Sequence, residues 1–147
     1  MAAHHCRVSQ VAATAACNSI VDLIDAGTPP GFLIIYTGTE PTHCNDAAAT
    51  EVATCTLAEA AFGAASYVGG THTSDAALTS TATDLHATGS ASAVTHFRLG
   101  NAAGTAVLQG TCSATAGDDL VLNSAIIATG SQVDITALTV SVPIDQA

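Results

Sequence analysis

Six histidines, five cysteines and twelve carboxylates are the residues of this 147-residue chain with chemistry to offer. Their spacing decides how much of it is usable. The densest groupings are His4, His5 and Cys6, and His43 and Cys44 with Cys55. Adjacent ligands sit awkwardly around one tetrahedral centre, and neither grouping has the spaced pairs of a structural zinc site, so no metal and no cofactor is expected. The cysteines (Cys6, Cys17, Cys44, Cys55 and Cys112) are odd in number and lack a CxxC pair, which favours free, mainly buried thiols over a disulfide framework. Asp118 and Asp119 follow Gly117, but a GDD run between two strands reads as a turn before it reads as a catalytic carboxylate pair. No acids alternate in the manner of a calcium loop. Elbow, phosphate-loop, zincin and dinucleotide motifs are all missing, so no nucleophile, base and stabiliser share a recognisable context and no enzymatic activity is expected. A small hydrolase or metal-binding protein on a cupin-like barrel would rest on the six histidines alone.

His96 and Arg98 stand apart because they project together from one well-formed strand, AVTHFRL, whose Phe97 and Leu99 take the other face. Two readings stay open for them. One is a polar contact across an oligomer or capsid interface, where arginine suits bidentate pairing with a carboxylate; the other is an internal pair with an acid of the same subunit.

The elements that must position these residues are mostly strands. Ser9 to Gly27 reads as one helix, with Ser9 as N-cap, an apolar stripe of Val11, Ala12, Ala15, Ala16, Ile20, Leu23 and Ile24, and Gly27 as the stop. Beyond it, GFLIIYT is a strand with Phe32, Ile34 and Tyr36 on one side and Leu33 and Ile35 on the other, leaving no obvious water face. Either the helix covers its second side or another subunit does. Further strands are expected at residues 51–57, 76–79, 84–87 and 93–99, with GNAAG as a hairpin loop to TAVLQGTC. DDLVLN, SAIIAT and a long final strand from Ser131 to Val142 complete the set. Parity changes within that last segment, so a bulge near Thr136 and Ala137 is expected, as where a strand crosses between packed sheets. The fold class is mainly β: a jelly roll or β-sandwich of about eight strands with one N-terminal α-helix, in a single domain over residues 1–147, with a helical arm at 9–27 and the sandwich at 31–143.

Composition bounds the partners. The charged fraction is 10%, well below the ~25% usual in soluble domains, and the net charge is −10 with Arg7 and Arg98 as the only fixed cations. Two arginines supply no phosphate-binding patch, which excludes nucleic acid and anionic membrane as partners. No run approaches the ~18 apolar residues of a membrane span. The Ala-rich start, which carries Asp22 and Asp25, lacks the apolar core of a signal peptide, so synthesis in the cytoplasm is expected.

The series IYTGTEP, AAFGAAS, HFRLGNAAGTAVLQGT, DLVLNSAII and ITALTVSVP resembles a family of small virion structural proteins of tailed bacteriophages, over about Val11 to Pro143. Those motifs are structural and carry no chemistry; the HHC start and the five cysteines depart from them. The resemblance implies a head cement or decoration protein on the capsid exterior, homo-oligomeric and bound to the major capsid protein. Contacts would run through Phe32, Leu33, Ile34, Ile35 and Tyr36, with His96 and Arg98. The alternative is a tail, baseplate or fibre module, with residues 39–49 and 71–92 as its binding loops.

Overall fold

The structure is a computed structural model and describes residues 8–144 apart from Pro29. The His4, His5 and Cys6 grouping lies outside the described residues, as does Arg7. In chain order the elements are α1 (Gln10–Ile24), β1 (Phe32–Thr37), β2 (Thr50–Thr56), β3 (Ser66–Val68), β4 (Thr73–Ala77), β5 (Ala82–Asp84), β6 (Val94–Gly100), β7 (Ala106–Ser113), β8 (Leu120–Val121), β9 (Val133–Ile135) and β10 (Thr139–Pro143). The protein is mainly β with one N-terminal helix among the described residues. Seven strands form a curled sheet in the order β8-β7-β6-β1-β2-β5-β9, and β10-β4-β3 form a second, smaller one. No helix is long and apolar enough to cross a membrane among the described residues.

Capping sets the helix. The Ser9 hydroxyl accepts from the Ala12 amide at 3.2 Å, and the Asp25 amide closes the last turn on the Val21 carbonyl. Its phase differs from the expected stripe. Ala13, Cys17, Val21 and Ile24 are buried, while Val11 and Leu23 face solvent. Small side chains explain this: Ala13 and Cys17 let the helix approach β4 and β10 closely enough for the Cys17 thiol to donate to the Val140 carbonyl at 3.4 Å and the Thr14 and Ser74 hydroxyls to meet at 2.8 Å. The helix therefore covers the small sheet and does not lie on the second face of β1.

β1 is central in the large sheet, antiparallel to β2 and β6 on its two edges. Leu33 and Ile35 point into a cluster that joins the helix and both sheets, including Val52, Leu57, Phe97, Leu99, Leu120, Ile127 and Val140. The expected final strand is two strands. Val133–Ile135 pairs with β5 in the large sheet, Thr139–Pro143 pairs with β4 in the small one, and residues 136–138 make the crossing where the parity shift was read. SAIIAT forms no strand. Its carbonyls at Ala125 and Ile127 accept from Val94 and Ser90, so the segment crosses the end of the sheet and drops Ile127 into the core.

Candidate functional site

Both ladders of β1 shift register beside Tyr36. Ile35 opposes Ala53 and Tyr36 opposes Glu51, leaving Val52 as an extra residue; on the other edge Tyr36 opposes His96 and Thr37 opposes Val94, leaving Thr95. Bulges of this kind re-aim side chains. Up to Tyr36 the β1–β6 register is regular, and strand alternation puts Tyr36, His96, Arg98 and Gln109 on the face turned away from the core, with Ile34 opposite Arg98 and Arg98 opposite Gln109.

That face is covered by the chain itself. The segment Gly38–Pro41 straps across it: the Thr95 hydroxyl donates to the Gly38 carbonyl at 2.7 Å, and the Gln109 side-chain amide donates to Glu40 Oε1 at 3.1 Å and to the Pro41 carbonyl at 2.8 Å. Beneath the strap, His96 is 0% and Arg98 7% exposed. The Tyr36 and His96 rings stack with centroids 5.1 Å apart, the Arg98 guanidinium stands 5.9 Å from the Tyr36 centroid, and Arg98 Nε donates to Gln109 Oε1 at 2.9 Å. Arg98 thus meets a neutral amide, and Glu40 enters the network through Gln109.

The hydrogen bonds fix the His96 tautomer. The one Thr95 hydroxyl proton is used on Gly38, so at 2.9 Å that oxygen accepts from His96 Nδ1–H and Nε2 is left bare. Nε2 is buried without a partner, and so is Arg98 Nη2. Burial pushes the His96 pKa below its usual 6.5, helped by Arg98 and opposed by Glu40. Burial pushes the Tyr36 phenol up, with Glu51 adding to the rise and Arg98 opposing it.

A pH dependence follows with a definite sign. The native state holds His96 neutral while the unfolded chain takes a proton near pH 6.5. His96 therefore contributes full stability above that pH and loses it as pH falls toward its lower folded value. Urea midpoints at pH 8 and pH 5 should differ less in His96→Gln than in the parent chain. An equal difference in the two proteins would remove His96 as the cause.

The other groupings do not converge. His43 sits in a turn where its amide donates to Asp46 Oδ2 at 3.2 Å, whereas Cys55 is inside the core. Asp119 Oδ2 accepts from the Thr111 amide and hydroxyl, each at 2.9 Å, and so fastens the chain entering β8 to β7. No three His, Cys, Asp or Glu among the described residues are grouped to hold a metal. Cys17, Cys44, Cys55 and Cys112 are free thiols. Burial raises all three core thiols; Cys55 and Cys112 are pushed up to about 12, with Asp84 and Asp118 adding to the respective rises. At pH 8 a thiol of that pKa is ionised to only about one part in ten thousand. Iodoacetamide should label Cys44 in the folded protein and reach Cys17, Cys55 and Cys112 only in denaturant. Rapid native labelling of Cys55 or Cys112, read by mass spectrometry, would contradict the burial.

Of the residues expected at an interface, Leu33, Ile35, Tyr36, His96 and Arg98 are buried within the single chain, and Phe32 and Ile34 keep partial exposure. Sequence parity placed His96 and Arg98 on one face; it carried no signal for the strap, which is held by the distant Gln109 and Thr95. No family model, curated protein or solved structure matches this chain.

Proposed function

We propose that the protein is a bacteriophage virion structural protein, a head cement or decoration protein that oligomerises and bridges neighbouring major capsid subunits on the capsid exterior. The observation that carries this reading is that two motifs of the phage resemblance belong to one unit. YTGT-x-P supplies Tyr36, Gly38, Glu40 and Pro41, and HFR-L with its returning strand supplies His96, Arg98 and Gln109, all in a single bonded network. The network is closed within the subunit, so the motifs preserve a shape and offer no reacting group to a substrate. Exposed Val11 and Leu23 on the helix, with the partly exposed Phe32 and Ile34, offer apolar surface to a neighbour.

Its mechanism is mass action: contacts made only in the mature shell stabilise that shell by the free energy of binding. Heads lacking the protein should release their genome at lower temperature and lower chelator or salt stress than complete heads, and the protein should occur in head fractions at a stoichiometry comparable to the shell subunit. Unchanged head resistance would refute the cement reading. A few copies confined to tails would move the protein to the baseplate or fibre.

A further inference from the structure

The large sheet ends at β8 on one side and β9 on the other, and its curl brings these two edges to the same groove. One stretch of the groove, about 340 Å³, is walled by Leu120–Asn123 and by Asp134–Ala137; a second, about 350 Å³, continues between Leu122–Ser124 and Ser131–Asp134. Leu122, Asn123 and Asp134 belong to both, so the groove is continuous. β8 pairs only with β7 and β9 only with β5, which leaves one edge of each strand without a partner in the sheet.

We propose that this open seam receives an extended segment of another protein, flanked by Lys or Arg, as an added β-strand. An unpaired strand edge presents amide and carbonyl groups that only another extended backbone satisfies in register; a helix has none to spare. Of the usual protections only shortness is present, β8 having two residues and β9 three; residues 120–137 contain no Lys and no Pro. Val121 and Ile126 stand at the groove 52% and 54% exposed, giving alternate side chains of the guest an apolar footing. Charge selects the guest. Asp134 lines the groove, the chain carries −10, and Arg98, the sole Lys or Arg among the described residues, is buried. A second copy would bring like charge to the seam, whereas a basic-flanked segment brings its complement. The walls run over five residues on one side, 120–124, and seven on the other, 131–137, so a guest strand of roughly 17 Å would match the shorter one.

The inference goes beyond a virion role and its test needs no virion, so failure of either leaves the other standing. The probe is an octapeptide, Lys-Thr-Val-Thr-Val-Thr-Val-Lys with blocked ends, added to the full-length protein. Saturable binding is expected, with slowed amide hydrogen exchange at residues 120–124 and 133–137. A version with Glu in place of both Lys should bind at least about tenfold more weakly. Val121→Lys/Ile126→Lys changes half-exposed positions and should weaken the Lys peptide by a similar factor; Ile126→Lys alone serves if the double variant loses its fold. Absence of saturable binding overturns the proposal. So does equal affinity in the folded variants, or slowed exchange spread over the acidic surface instead of the two edges. Sedimentation showing self-association that the same substitutions abolish would assign the seam to a second copy and likewise overturn it.

Discussion

Gly31→Ala lowers the stability of the folded chain by about 3 kcal/mol, the upper range for forcing a methyl group into a packed site. A Cβ at this position would lie 2.7 Å from the Ile24 carbonyl oxygen and still closer to that of Gly100. Both obstacles are backbone, so no rotamer change relieves them; the end of α1 and the end of β6 would have to part. The Gly31 carbonyl also accepts from the Leu57 amide at 3.1 Å. One residue without a side chain therefore lets the helix end, the start of β1, β2 and β6 converge. Gly70→Ala is the control, because nothing lies within 4 Å of its added Cβ. Surface changes of that kind stay within roughly 0.5 kcal/mol. Urea unfolding of both variants decides the matter, and similar midpoints for the two would refute the close approach at Gly31.

What could be read in the sequence follows from which physical signals are local. The helix announced itself through Ser9 and a 3.6-residue apolar period, and β1 through five successive large side chains; each depends on residues a few positions apart. The helix face was misread because the apolar spacing also fits a stripe through Ala12, Ala15 and Ala16, which are exposed, beside the one that is buried. Val11 and Leu23 are larger than Ala13 and Cys17, yet the small pair faces the sheet, since close packing against β4 and β10 rewards a thin side chain. The crossing at residues 136–138 was legible from parity alone, because a change of phase is a property of neighbours. SAIIAT was misread for the opposite reason: its short apolar run, Ala125 to Ala128, suits a strand, but its carbonyls bond to residues 90 and 94 across the end of the sheet.

The outer network was half legible. Parity joined His96 to Arg98 and placed both opposite the core residues Phe97 and Leu99. That they are buried inside the subunit depends on Gly38–Pro41 folding back, and that in turn depends on Gln109 and Thr95, 57 to 69 residues away along the chain. The bulges at Val52 and Thr95 left no trace in residue type. Proximity of that order comes from topology, and a single sequence does not display it.

Phe97 and Gly110 give the second large effect, and a coupling between the two. Phe97 on β6 opposes Gly110 on β7, and a Cβ on Gly110 would come within 2.7 Å of the Phe97 ring and 3.0 Å of the Asp119 carboxylate. The ring occupies the space a side chain on β7 would need, while Asp119 uses the same opening to reach Thr111. Phe97→Ala should therefore cost about 4 kcal/mol, as large-to-small changes in a packed core do. Gly110→Ala should cost about 2 kcal/mol by overpacking. Combining Gly110→Ala with Phe97→Leu tests whether one volume is shared, since the shorter side chain makes room for the new methyl group. The double variant should then be more stable than the sum of the single losses implies, by about 1 kcal/mol. Strict additivity would mean that the cost at Gly110 arises from Asp119 and not from the ring. Asp119→Asn would then show it, because weakening the tie to Thr111 would lower the penalty of Gly110→Ala where Phe97→Leu had not.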